Sequence, residues 1–255
     1  MQSYLFLLSL FSSLVFSAPI TTEAPNAEVV RRDLNAILLA IENDLPFISG
    51  SVADVCDLIT DAENVLSFAT DTAITDNGLT GACADMTIIY ARGTCDPGNA
   101  GFLVGPPFYE AVQSQLGSHS VSFQGVLPYA ASVTTFLEGG DPQGIQAMAA
   151  QVEQARSQCP STKLVMAGYS QGCEIVHKAA ALLPAATAES LSSIVMFGDP
   201  QNGQAIPNVA ASKVLTVCHE GDDICLGGDL ILLPHLTYAL NAVSAAEFVA
   251  AQAGL

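Results

Sequence analysis

The sequence predicts an α/β fold with a central, mainly parallel sheet and helices on both faces, and three observations carry that expectation. From Cys83 onward, short apolar runs rich in β-branched residues alternate with stretches of helical periodicity. That rhythm pairs strands in parallel and leaves helices to cover both faces of the sheet. One strand-to-helix junction holds Gly168-Tyr169-Ser170-Gln171-Gly172, a serine between glycines at a sharp reversal. The chain has 255 residues, 50% of them hydrophobic, and no clear internal linker, which suits one sizeable core rather than two domains.

The N-terminal elements come first. Residues 1–18 are almost wholly apolar and close on Phe16-Ser17-Ala18, the pattern of a signal peptide. The stretch is short for a bilayer span, so it predicts secretion to the extracellular space and no stable membrane anchor. Residues 19–27, rich in Pro, Thr and Ala, read as a flexible segment. A single domain is then expected over 28–255, beginning with a helical extension at 28–70. Val30, Leu34, Ile37, Leu38 and Ile41 recur at helical spacing, as do Val52, Val55, Ile59, Ala62, Leu66 and Ala69. Packing is the ordinary role of such an extension, and a lid over the serine is the sharper one. Arg31-Arg32 fits a dibasic processing site or a charged helix face equally well.

The main alternation follows. Residues 86–91 (MTIIYA) predict a buried strand, a helix follows Pro106-Pro107, and residues 121–127 suggest a second strand. Asp141-Pro142 reads as an N-cap with proline at the first helical position, with Ile145, Met148 and Val152 on the inner face. A strand at 164–167, a helix at 171–183, a strand at 194–197 and a strand at 214–217 come next. The last helix is expected to start near Leu236 or Tyr238.

Charge and cysteines limit the function. A formal charge of −18, from 25 acidic against 7 basic residues, excludes nucleic acid as a partner, because phosphate backbones are bound by clusters of Lys and Arg. It also disfavours an anionic membrane surface. Seven cysteines suit an oxidising compartment, and the lack of any paired CxxC argues against structural zinc.

The glycine-flanked serine sits where a strand runs into a helix. Such a turn lifts the serine oxygen to the edge of the sheet and sets the N–H of Gln171 at a helix start, where it can face an anion. A nucleophilic serine needs a base, and the base needs an orienting acid, in the chain order Ser, acid, His. Of the four histidines, His119 precedes the serine, His177 lies in the helix after it, and His219 stands just ahead of the acidic cluster. Only His235 follows both. The acid candidates are Asp222 and Asp223, with Asp199 and Asp229 as rivals. A Cys218–Cys225 disulfide would close a small loop around the adjacent pair, which favours that loop without separating 222 from 223.

Five stretches together resemble the fungal cutinases: IYARGTCDPGNAGFLVGPPF (89–108), CPSTKLVMAGYSQG (159–172), FGDPQNG (197–203), CHEGDDIC (218–225) and PHLTY (234–238). The resemblance implies a cutinase-like α/β-hydrolase with Ser170 as nucleophile, His235 as base and Asp222 as acid. It assigns the oxyanion hole to the backbone N–H groups of Thr94 and Gln171. It also implies disulfides Cys83–Cys159 and Cys218–Cys225; Cys83 and Cys159 each stand just before a parallel strand, at one edge of the sheet. Cys56, Cys95 and Cys173 depart from the family pattern. Cys56–Cys95 is expected as a third bridge, and Cys173 as a small buried residue.

The implied activity is that of a secreted serine esterase acting through an acyl-enzyme, with no metal or cofactor, as a monomer. Leu230, Ile231, Leu232, Leu233 and Leu236 flank His235. An acyl chain would suit that wall, with Leu230, Ile231 and Leu236 as contacts and some of the five in the core. This favours cutin-like polyesters or lipid-like esters over acetylated xylan, whose esterases share the fold and would use polar groups there. A non-catalytic surface protein on the same scaffold is the reading from another class.

Overall fold

The computed structural model describes residues 49–255. The expected signal peptide, the flexible segment and the amphipathic run at 30–41 lie outside them. The described chain opens with a two-residue strand, β1 (Gly50–Ser51), and a long helix, α1 (Val52–Thr70). Ser51 caps that helix by accepting the N–H of Asp54, and Asp71 ends it at φ 53°, a left-handed stop.

The sheet is five strands, all parallel: β2 (Met86–Ala91), β3 (Val121–Gly125), β4 (Lys163–Tyr169), β5 (Ser193–Phe197) and β6 (Val214–Val217), in the order β3-β2-β4-β5-β6. Successive side chains of a strand point to opposite faces, and here each face serves its own core. Ile88, Tyr90, Val165, Ala167, Val195 and Phe197 pack on one side with α2 (Gly105–Leu116) and α7 (Ala242–Ala253), and the inner residues of α1 join them. Ile89, Ala91, Leu164, Met166, Ile194 and Met196 pack on the other with α4 (Pro142–Gln158) and α5 (Gln171–Leu182). Burial on both faces explains why these strands read as unbroken apolar runs. Asp141 caps α4, its Oδ1 accepting the N–H of Gln143 at 2.8 Å.

Three parts of the chain differ from the expected layout. The last helix begins at Ala242, because two short 3₁₀ turns, Leu233–Leu236 and Tyr238–Asn241, precede it. Helices α3 (Val133–Leu137) and α6 (Ala185–Ser190) have five and six residues, too few to show a period. Strand β7 (Leu230–Ile231) pairs antiparallel with β1, joining Gly50 to Ile231 and Ser51 to Leu230. That pairing fastens the start of α1 beside the segment that carries His235.

Three disulfides join Cys56 to Cys95, Cys83 to Cys159 and Cys218 to Cys225. The second ties the chain ahead of β2 to the chain ahead of β4 across 76 residues of sequence. Neither of its cysteines is buried, so serine at both positions leaves no orphaned hydroxyl in the core. The double variant Cys83→Ser/Cys159→Ser should lose about 2–5 kcal/mol of stability, as expected for a native bridge in a secreted domain. Urea unfolding checks this, and a loss under about 1 kcal/mol would mean the sheet edge holds without the link.

Candidate active site

Ser170 stands between β4 and α5 with its backbone at φ 55°, ψ −123°, a conformation that L residues adopt only under constraint. Two glycines make the turn possible. A Cβ on Gly168 would lie 2.5 Å from the carbonyl oxygen of Gly172, and one on Gly172 would collide with the carbonyl of Ala91. The Ser170 N–H donates to Phe197 O at 2.9 Å, and the Ser170 carbonyl accepts from Cys173 N–H at 2.8 Å. The serine is therefore held from both sides, 3% exposed.

His235 is 1% exposed in the first 3₁₀ turn after β7. Its Nδ1 lies 2.9 Å from Asp222 Oδ2. A carboxylate can only accept, so Nδ1 carries the proton and Nε2 keeps its lone pair. That Nε2 is buried and has no hydrogen-bond partner. Asp222 Oδ1 accepts the N–H of Ile224 at 3.0 Å. Burial alone would raise this carboxyl, but the bonds from His235, Tyr238 and the Ile224 N–H hold it below the ordinary aspartate range. Geometry also separates the two adjacent aspartates: Asp223 faces away and accepts the Leu230 N–H at 3.0 Å, stabilising the turn into β7.

The other candidates are engaged elsewhere. His177 of the elbow helix and Asp199, just after β5, form a buried pair at 2.9 Å. His119 lies 3.7 Å from Asp85 at the surface, and the ring nitrogens of His219 meet Pro234 O at 2.8 Å and Asn241 Oδ1 at 2.7 Å. Asp229 contributes its carbonyl to Val52 N–H at the β1–β7 junction. Cys173 is free and buried, its thiol pushed up chiefly by desolvation. Among the described residues, no group of three His, Cys, Asp or Glu is arranged to hold a metal ion.

Thr94 and Gln171 face one another from the loop after β2 and the first position of α5. The Gln171 amide is oriented by the Ser132 carbonyl, an acceptor only, which takes Nε2 at 2.8 Å; the same Nε2 reaches Thr94 Oγ1 at 3.0 Å. Thr135 donates to Gln171 Oε1 at 3.1 Å. As the first helical residue, Gln171 has no carbonyl one turn back to accept its N–H. The loop itself is braced: Asp96 Oδ2 accepts the Gly93 N–H at 2.9 Å, and Cys95 sits at φ 69° with its N–H on Ala131 O.

Ser170, His235 and Thr94 line one narrow cavity of about 10 Å³, with Val52, Cys56, Ile59, Cys95, Asp96, Tyr169, Ile231 and Leu236 completing it. The space suits a single water. Its roof is α1, fixed by the Cys56–Cys95 disulfide and by Thr60 Oγ1, which donates to Cys95 O at 2.7 Å. Of the apolar wall expected beside His235, Ile231 and Leu236 reach the cavity. Leu230, one step along the strand, turns outward and is 43% exposed.

Residue-type reasoning did not single out Tyr238, whose hydroxyl donates to Asp222 Oδ2 at 2.5 Å. The available signal was its spacing of three from His235, the two residues lying on successive 3₁₀ turns. The roof residues Val52 and Ile59 were legible only as the buried stripe of a helix.

A family model for cutinase matches residues 82–253. The chain is 48% identical over 246 residues to a cutinase of Trichoderma harzianum, covering 95% of this chain and 97% of that one. It is 54% identical over 174 residues to a cutinase of Botryotinia fuckeliana, covering 68% and 86%. Among solved structures, Trichoderma reesei cutinase in complex with a C11Y4 phosphonate inhibitor is similar at TM-score 0.74 and 44% identity, covering 87% of this chain and 98% of that one. An acetyl xylan esterase is similar in fold, at TM-score 0.54 and 23% identity over 68% of this chain and all of that one.

One pair of acids links the roof to the braced loop. Glu63 of α1 is buried, its Oε2 accepting the Phe102 N–H at 3.2 Å while Oε1 has no donor. Burial, and then the neighbouring Asp96 carboxyl, push Glu63 well above the ordinary glutamate range. A carboxyl raised by folding contributes fully below its unfolded value and loses that contribution as pH rises toward the folded one. Stability should therefore decline from about pH 4.3 upward, by about 1.4 kcal/mol per unit while only the unfolded chain releases the proton. Glu63→Gln, which can still bond Phe102 and Asp96, should flatten that decline. Urea midpoints at pH 4 and pH 7 test this, and equal slopes in the two proteins would remove Glu63 as its source.

Proposed function

Because the chain belongs to the cutinase family and is a serine-type carboxylic ester hydrolase, we propose that Ser170, His235 and Asp222 form its catalytic triad. The observation that carries this reading is the buried, unpartnered Nε2 of an imidazole held by Asp222, in the same cavity as the constrained serine. Ser170 attacks the ester carbonyl while His235 Nε2 takes its proton and then delivers it to the leaving alcohol. Asp222 keeps the imidazole in the reactive tautomer and stabilises the imidazolium. Water repeats the sequence on the acyl-enzyme. The oxyanion is held by the N–H groups of Thr94 and Gln171. The Thr94 hydroxyl already accepts from Gln171 Nε2, so its own proton is free to add a third donor.

Val52, Ile59, Ile231 and Leu236 give the cavity apolar walls, which support acyl chains of cutin-like polyesters or lipid-like esters as the substrate class. Secretion after removal of residues 1–18 completes the reading, supported by three disulfides that suit an oxidising compartment. The roof over Ser170 supports a lid. The narrowness of the cavity beneath α1 supports a movement of that helix before substrate binds.

Hydrolysis of p-nitrophenyl butyrate, a polyester film and acetylated xylan, by wild type and Ser170→Ala, tests the assignment. The ester and polyester activities should fall by about 10⁴-fold or more in the variant. Strong deacetylation of xylan with little action on polyester would move the enzyme to the carbohydrate esterases, and an active Ser170→Ala would remove the nucleophile. For the lid, Ile59→Ser sets a hydroxyl in the roof and should raise kcat/KM on an emulsified ester several-fold by populating the open form. Unchanged or lower activity would leave α1 as packing alone.

A further inference from the structure

The proton of Tyr238 is fixed by its neighbours. The phenol oxygen accepts the backbone N–H of His219 at 3.0 Å, and an N–H can only donate. The phenol's own proton is directed at Asp222 Oδ2, 2.5 Å away, the same oxygen that faces His235 Nδ1 at 2.9 Å. The remaining neighbour, Cys225 Sγ at 3.5 Å, is a disulfide sulfur and a weak acceptor. The ring is equally constrained. It is fully buried, stacks on His219 with centroids 4.2 Å apart, and stands edge-on to His235 at 5.9 Å. Gly198 makes room for both rings, since a Cβ there would lie 2.8 Å from His235 Cε1 and from Tyr238 Cε2.

We propose that Tyr238 is a positioning residue of this esterase, a phenol that divides the charge of Asp222 with His235 and so sets how readily the imidazole takes up a proton. The inference rests on the triad assignment made above. Two donors on one carboxylate oxygen share its negative charge. With the phenol bonded, less of that charge faces the imidazole and the imidazolium gains less from it; with the phenol gone, it gains more. Burial, and then the adjacent Asp222 carboxylate, push the Tyr238 hydroxyl up, so the phenol remains a neutral donor. The other titratable groups around the site are His219 after β6, Tyr169 at the end of β4, Cys173 on α5 and Asp96 in the oxyanion loop. None of these four donates a hydrogen bond to Asp222.

The test is the acid limb of the kcat/KM profile on a soluble p-nitrophenyl ester. Tyr238→Phe keeps the ring and removes the donor, so the limb should move up by about one pH unit with KM little changed. Site-specific replacement of Tyr238 by 3-fluorotyrosine makes a stronger donor in the same packing, and the limb should move down. The second variant also serves if Tyr238→Phe fails to fold. A limb that stays put, or moves the same way in both variants, overturns the proposal and leaves Tyr238 a packing role. Asp222→Asn and His235→Gln are measured alongside. Wild-type activity in either would overturn the triad reading and this inference with it, whereas inactive variants and an unmoved limb would sink the role of Tyr238 alone.

Discussion

Ser170 occupies a backbone conformation that its own side chain disfavours, and much of the molecule is arranged to keep it there. A non-glycine residue held at φ 55° costs on the order of 1–3 kcal/mol, and no single contact balances that. The serine stays because β4 lies at the centre of the sheet, because α5 starts immediately after it, and because Gly172 lets that helix press on the carbonyl of Ala91 at the end of β2. The same close approach brings Gln171 against Thr94. The strain at the serine and the placement of the facing loop therefore have one origin, the depth to which the elbow is driven between two neighbouring strands.

Buried acids are the second theme, and scarcity of base explains their handling. With 7 Lys and Arg against 25 Asp and Glu, cationic partners are few. Among the described residues, both buried ion pairs use histidine, His235 with Asp222 and His177 with Asp199. Asp222 and Asp199 each also accept a backbone N–H two residues on, from Ile224 and Gln201, and for Asp222 that bond helps hold the carboxyl below the ordinary aspartate range. Glu63 lacks a cation and lies beside another acid, so burial drives it toward its neutral form. Two buried carboxyls of one chain are thus pushed in opposite directions, Asp222 down and Glu63 up, by the groups that fold around them.

The sheet was legible because its inner strands β2, β4 and β5 are buried on both faces and bracketed by turn residues, and the long helices because their inner faces recur over several turns. The serine was legible because its turn needs glycine on both sides. His235 could be reached by chain order. Asp222 could not be told from Asp223 by residue type, since the difference lies in which way each carboxylate points from a turn that closes only in three dimensions. The outward turn of Leu230 was not legible for a related reason: a two-residue strand is too short to display the alternation that sets it. Tyr238, Ser132 and Thr135 act through individual hydrogen bonds from separate parts of the chain, which leave no periodic trace.

The Cys56–Cys95 bond joins the roof helix to the loop that carries Thr94. Were α1 to open as the proposed lid, it would stay tethered, because Cys56 in its first turn and a half is covalently attached to the rim. For such a lid, the bond shortens the connection between helix and rim and so raises the effective concentration that governs reclosure. If α1 serves as the proposed lid, the bond makes Cys56 a pivot, and the end of the helix far from it would travel furthest. An entering chain would meet the widest gap on that side, which gives the opening a direction as well as a size.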